Sequence, residues 1–180
     1  IKEKGLSLAR NVGIKYLNSI LKDNQIQEII LAFPDDDCEY PETLLENVVK
    51  SFEALGNKYH ILTGISIDKN TLKVSNGRFE KRNCEINCNN FLRTAISFTI
   101  FIRHEGSIEL LFDENLGVGS SFGSAEESDY LYRLLKLGFK AYYYPEKIKV
   151  YHPQKGSNFK DPNDRYRAFH YGKGLGALFK

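Results

Sequence analysis

The stretch Phe33-Pro34-Asp35-Asp36-Asp37-Cys38-Glu39-Tyr40-Pro41 sets three carboxylates side by side directly after a short apolar run, Ile26 to Phe33. Adjacent Asp side chains repel one another, so something must offset their charge. In an extended backbone residues i and i+2 face the same way, which points Asp35 and Asp37 into one space. Two hard oxygen ligands suit Mg²⁺ or Mn²⁺, which keep open positions for phosphate oxygens. His152, in Tyr151-His152-Pro153, offers an imidazole, a reasonable third ligand for Mn²⁺ beside two carboxylates. The plainer alternatives are a solvated acidic turn in which Asp37 or Glu39 helps cap the next helix, and a loop histidine before a proline.

A second acidic group follows a glycine-rich loop. Glu126, Glu127 and Asp129 open a helical pattern, where the helix dipole favours negative charge. Ser124-x-x-Glu127 is also a capping-box pattern, in which Glu127 closes the helix start.

The elements that must carry these residues alternate between strand and helix. Leu6 to Leu21 reads as a helix with Ala9, Val12, Gly13, Tyr16, Leu17 and Ile20 on one buried face. Ile26 to Phe33 reads as a buried strand. Glu42 to Leu55 is an amphipathic helix, with Pro41 at its opening, Gly56 as its stop, and Leu44, Leu45, Val48, Val49, Phe52 and Leu55 as its stripe. Tyr59 to Ile67 and Leu72 to Phe79 read as a hairpin, Arg82 to Asn90 as irregular, and Thr94 to Ile102 as a core strand ended by Arg103-His104-Glu105. Glu126 to Leu137 is the next helix, with Tyr130, Leu131, Leu134 and Leu135 inward and Gly138 as its stop. Phe139 to Tyr144 and Lys147 to Tyr151 are short strands. Tyr166 to Phe179 is an aromatic, basic helix crossed by Gly172, Gly174 and Gly176, which weaken a helix and permit close packing against phosphates, a membrane or further chain.

At 180 residues, 42% hydrophobic and 27% charged, the chain has the length and composition of one soluble globular domain. Without a Met and starting at Ile1, it reads as a processed or partial product. No apolar run has membrane-spanning length. Three cysteines, Cys38, Cys84 and Cys88, make no disulfide framework and no zinc set. Reduced thiols suit a cytoplasmic protein. The net charge of +2 is unevenly spread: Glu105 to Asp129 holds seven acidic residues and no Lys or Arg, whereas Lys147 to Lys180 holds eight Lys or Arg against two Asp. An acidic site before a basic tail suits a metal-assisted reaction on an anionic substrate, or docking at the inner face of a membrane. A nucleic-acid partner is disfavoured by the acidic centre and the lack of a known binding motif.

Phe33 to Asp37 resembles the Asp-x-Asp motif of GT-A glycosyltransferases, in particular the inverting group called glycosyltransferase family 2. Other segments are similar to that family in order and spacing: Gly5-Leu6-Ser7-Leu8-Ala9-Arg10-Asn11-Val12-Gly13, Phe112-Asp113-Glu114, Gly123-Ser124-Ala125-Glu126-Glu127-Ser128-Asp129 with Arg133, and Tyr151-His152-Pro153. The resemblance implies an α/β, Rossmann-like GT-A fold, a mixed sheet flanked by helices. It implies one catalytic domain over 1–180 with a peripheral basic helix at 161–180. The family's nucleoside-binding first strand is not recognisable, so the domain is expected to be N-terminally incomplete.

The resemblance further implies an enzyme of polysaccharide or cell-envelope glycoconjugate synthesis. Such an enzyme moves a sugar from a nucleotide-sugar donor to a hydroxyl of a glycan or lipid-linked acceptor. Arg10 and Asp35, Asp36 and Asp37 would contact the donor or its metal, with Asp35, Asp37 and His152 holding Mn²⁺ or Mg²⁺. Glu127 would be the catalytic base, standing where the family more often has Asp. Asp113, Glu126 and Asp129 would shape the acceptor side. A non-catalytic nucleotide- or carbohydrate-binding module of the same descent is the alternative.

Overall fold

The computed structural model describes residues 4–106, 108–154, 156 and 158–180. The elements run α1 (Leu6–Asp23), β1 (Glu28–Ala32), α2 (Leu44–Ala54), β2 (Ile61–Thr63), β3 (Ile65–Ile67), β4 (Cys84–Ile86), β5 (Ile100–Glu105), α3 (Glu126–Lys136), β6 (Ala141–Tyr143), β7 (Lys149–Tyr151) and α4 (Pro162–Leu178). The architecture is α/β with a mixed sheet and flanking helices, as expected. The chain divides into two compact units, one of Ile1–Glu28, Glu105–Leu131 and Gly156–Lys180, the other of Ile29–His104 and Tyr132–Lys155. Among the described residues no helix is long and apolar enough to cross a membrane.

The second unit holds a five-stranded sheet in the order β1-β5-β2-β6-β4 and a two-stranded sheet of β3 and β7. β2 runs parallel to β6 and antiparallel to β5, and β3 runs parallel to β7. Leu44, Val48 and Phe52 of α2 pack with Leu62, Phe98, Phe101, Ile148 and Val150 to form the core. Leu45 and Val49, expected in that stripe, face solvent. The helix starts at Leu44 rather than Glu42, because residues 42–43 form a turn closed by Leu44 N–H donating to the Pro41 carbonyl at 2.8 Å.

Several expectations for this unit are corrected. The run Tyr59 to Ile67 is broken at Gly64, so that β2 and β3 enter different sheets. A Cβ at Gly64 would stand 2.2 Å from the Ile148 carbonyl oxygen, so the close crossing depends on glycine. Leu72 to Phe79 forms no strand; Leu72 and Asn76 have left-handed backbones, and a single bridge, Ile67 to Val74, is what remains of the hairpin. The region Arg82 to Asn90, expected to be irregular, supplies β4, antiparallel to β6. Thr94 to Ile102 is not one strand: short 3-10 turns at Phe91–Arg93 and Ser97–Thr99 precede β5, which runs on through His104.

In the first unit α1 turns a different face inward from the one its apolar spacing suggests. Ser7, Asn11, Ile14 and Leu21 are buried, whereas Tyr16 is 69% exposed and Val12 is also exposed. The inward polar side chains pair with main-chain groups of residues 108–116. Asn11 donates to the Phe112 carbonyl (3.0 Å) and accepts from the Phe112 N–H (2.8 Å). Asn18 does the same with Ile108, both at 2.8 Å, and Ser7 Oγ donates to the Leu116 carbonyl at 2.6 Å. These amides complete the main-chain bonding that a strand partner would otherwise supply. The glycines of α4 do not interrupt it. Asp161 caps its start, accepting from Asn163 N–H at 2.8 Å, and Pro162 follows as the first helical residue.

Candidate functional site

The acidic stretch after β1 is held from three sides. Cys38 N–H donates to the Asp35 carbonyl at 3.3 Å, closing a turn at Asp36 and Asp37. Glu39 and Tyr151 then exchange both backbone bonds, at 2.8 and 3.0 Å. The pairing is antiparallel, so one step back from Glu39 lies beside one step forward from Tyr151. That register brings His152 to the aspartates. Tyr40 Oη donates to the Phe98 carbonyl at 3.0 Å, fixing the segment's far end.

The metal-ligating atoms of Asp35, Asp37 and His152 all lie within 4.8 Å of one another. His152 Nε2 is 2.7 Å from Asp37 Oδ1, and Ser97 Oγ donates to Asp35 Oδ1 at 3.3 Å. The imidazole is 7% exposed and stacks on Phe98, with ring centroids 4.9 Å apart and 16° between planes. Asp35 and Asp37 are half-buried, while Asp36 faces outward and stays out of the cluster. Asp35 and Asp37 do share one space, but through a turn rather than the extended backbone expected of them. Burial pushes the Cys38 thiol above its ordinary range, and the Asp35 and Asp37 carboxylates push it the same way. Two oxygens and one imidazole nitrogen make a donor set suited to Mn²⁺ or Mg²⁺.

A network behind His152 escaped sequence reasoning. Phe98 and Ser97 come from the 3-10 turn misread as strand. His152 N–H donates to the Ile67 carbonyl at 3.0 Å. Asp68, at the end of β3, accepts from Gln154 N–H at 3.0 Å, from Asn70 and Thr71 N–H at 3.1 and 2.8 Å, and from Thr71 Oγ1 at 2.9 Å. These bonds, that from Gln154 first, hold its carboxyl down at about 2. Asp68-x-x-Thr71 is a turn motif visible in the sequence, but nothing there ties it to residue 152.

The second acidic group belongs to the first unit. Arg10 pairs with Glu126 at 3.1 Å, both side chains nearly buried at 8% and 7% exposure. The guanidinium lies 5.3 Å over the Phe112 ring, which stacks on Tyr130 with 4.2 Å between centroids. Phe112 is a core residue, as the resemblance implied. Glu127 and Asp129 are half-buried in the first turn of α3. Asp113 is exposed and accepts from Asn115 N–H and Nδ2 at 2.9 Å. Ser124, the expected partner of Glu127 in a capping box, donates its hydroxyl proton to the Tyr171 carbonyl of α4 at 2.9 Å. The helix is entered through Ala125, whose φ of 73° is unusual for a residue with a side chain.

A separate open cavity of about 360 Å³, lined among others by Lys58, Glu85, Cys88 and Lys140, lies by the end of β4 and the start of β6. It shares no lining residue with the Asp35-Asp37-His152 cluster. Compared with known proteins, the chain matches no protein-family model, no curated protein and no solved structure.

Proposed function

We propose that the chain is a metal-assisted, inverting glycosyltransferase of the GT-A kind, moving a sugar from a nucleotide-sugar donor to a glycan or lipid-linked acceptor hydroxyl. The observation that carries this is the meeting of Asp35, Asp37 and His152 within 4.8 Å, just beyond a strand's carboxyl end, where open α/β sheets bind ligands. A divalent cation bound there supplies charge stabilisation for a departing diphosphate. Asp35 and Asp37 supply the negative charge that such a cation needs, and buried His152 adds an imidazole nitrogen. By the resemblance, Glu127 would take the acceptor proton: as that proton passes to a carboxylate, the acceptor oxygen bonds to the anomeric carbon and the bond to the diphosphate oxygen breaks.

The outer surface of α4 supports an acceptor at an anionic lipid surface. Tyr166 and Phe169 of α4, and Phe179 just beyond its end, are exposed, among Arg165, Lys173 and Lys180, a mixture that suits the headgroup layer.

The test is release of nucleoside diphosphate from a panel of nucleotide sugars with Mn²⁺ and an acceptor hydroxyl. Turnover is expected, falling about 100-fold or more in both Asp37→Ala and Glu127→Gln, with Mn²⁺ binding lost in the first variant only. Nucleotide binding without turnover would reassign the chain as a non-catalytic module. The absence of both would overturn the proposal.

A further inference from the structure

We infer that the open cavity beside the end of β4 is a further ligand site, suited to a small anion that carries an apolar group. Its volume, about 360 Å³, lies within the roughly 300–1,000 Å³ of small-molecule sites. None of its lining residues belongs to the candidate cation site, so a ligand here is independent of sugar transfer. The corner is open because two chain segments turn away from it. β4 pairs with β6 as far as Ile86 and Ala141. Asn87 N–H then donates to Asn90 Oδ1 at 2.8 Å, and Phe91 N–H to the Asn87 carbonyl at 3.1 Å, so a turn replaces the next pair. On the other side α3 stops at Gly138, whose φ is 92°. Gly138 and Phe139 N–H donate back to the Leu135 and Leu134 carbonyls, both at 3.1 Å. The chain thus reverses into β6 with no side chain at the bend.

Ile86, Leu135 and Phe139 give the space an apolar side, and Lys58, Glu85 and Lys140 a charged one. Glu85 is already engaged. Its Oε1 accepts from Lys58 Nζ at 2.5 Å and from the Tyr59 hydroxyl at 2.6 Å, and Tyr59 is buried. These bonds, with the charge of Lys140 behind them, hold the Glu85 carboxyl below its ordinary range. Glu85 therefore offsets Lys58. Lys140 forms no ion pair among the described residues, which leaves one positive charge at the cavity. The carboxyl end of α3 opposes an anion there, but with only about half a charge, less than the full charge of Lys140. An anionic head at the lysines and an apolar body against Ile86, Leu135 and Phe139 would meet both sides. Phosphate monoesters and carboxylates with an aryl or alkyl group share that chemistry.

The test adds phenyl phosphate to the isotope-labelled full chain and follows the backbone amide resonances. Saturable shifts are expected in residues 58–59, 85–88 and 138–141, with a Kd on the order of 1 mM, and none in residues 33–40. Inorganic phosphate and phenol, each carrying half of the recognised chemistry, are expected to bind at least about 10-fold more weakly. Lys140 is exposed, so Lys140→Ala should keep the fold, seen as unchanged amide positions elsewhere, and weaken phenyl phosphate by about 10-fold. If phenyl phosphate shifts none of these amides, if either fragment matches it, or if Lys140→Ala binds it undiminished, the inference is wrong.

Discussion

At the scale of single residues, Asp68 ties the end of β3 to the loop that follows His152. Four donors converge on it, and one of them, Gln154 N–H, lies in the loop after His152. Its carboxyl sits at about 2 when folded, below the ordinary 3.8, so the folded state holds the proton less tightly than the unfolded chain. The stability this adds is complete above about pH 4 and is lost as pH falls towards 2. Acid unfolding followed by circular dichroism should therefore show a limb between those values that flattens in Asp68→Asn. An identical limb in that variant would mean that another group carries it. The Arg10–Glu126 pair poses a different problem, since each charge is nearly buried. Breaking such a pair from one side removes a compensating charge from a nearly buried one. Glu126→Gln is expected to destabilise the fold by about 3 kcal/mol in a denaturant titration, well beyond a surface substitution.

At the scale of elements, glycine and asparagine do work that hydrophobic spacing does not reveal. A Cβ at Gly174 would stand 2.3 Å from the Ser124 carbonyl oxygen, and one at Gly123 2.8 Å from His170 Cβ. α4 therefore packs tightly on the loop that enters α3. A Cβ at Gly172 or Gly176 meets nothing within 4 Å. Gly174→Ala should thus cost about 1–3 kcal/mol through overpacking, while Gly172→Ala should gain about 0.5–1 kcal/mol of helix propensity. Thermal melts of the two variants shifting in the same direction would contradict this packing. The same logic explains what the sequence did and did not disclose. α3, β6 and β7 were legible, because short apolar runs and turn residues bound them, whereas the acidic turn and His152 stood out by residue type alone, with a solvated turn and a loop histidine as open alternatives. The inner face of α1 was not, because Ser7, Asn11 and Asn18 are polar and their partners are main-chain groups about a hundred residues away. Pattern reading assigns such residues to solvent. The Leu72 to Phe79 strand failed for a local reason: left-handed Leu72 and Asn76 break any ladder there, and Asn76 is instead turned to His152.

At the scale of the whole molecule, the chain comprises two compact units, and the candidate cation ligands all lie in one of them. Cation binding should leave a local signature. Hydrogen exchange with and without Mn²⁺ is expected to show added protection in residues 33–40, 97–99 and 151–154, with α1 and α4 unchanged. Protection spread evenly over the chain would point to adventitious surface binding. Charge acts at this scale too, since the exposed aromatic residues of α4 lie among Lys and Arg. Sedimentation with phosphatidylglycerol vesicles should carry the protein down at low salt and release it at high salt. Equal sedimentation with neutral phosphatidylcholine vesicles would remove anionic lipid from the account.

The central claim is that Asp35, Asp37 and His152 form one divalent-cation site, and calorimetric titration of Mn²⁺ into the intact chain tests it most directly. The expected result is saturable binding of one ion per chain, abolished in Asp37→Ala and weakened in His152→Ala. A wild-type chain that takes up no Mn²⁺, or an Asp37→Ala chain that binds it undiminished, would contradict the claim.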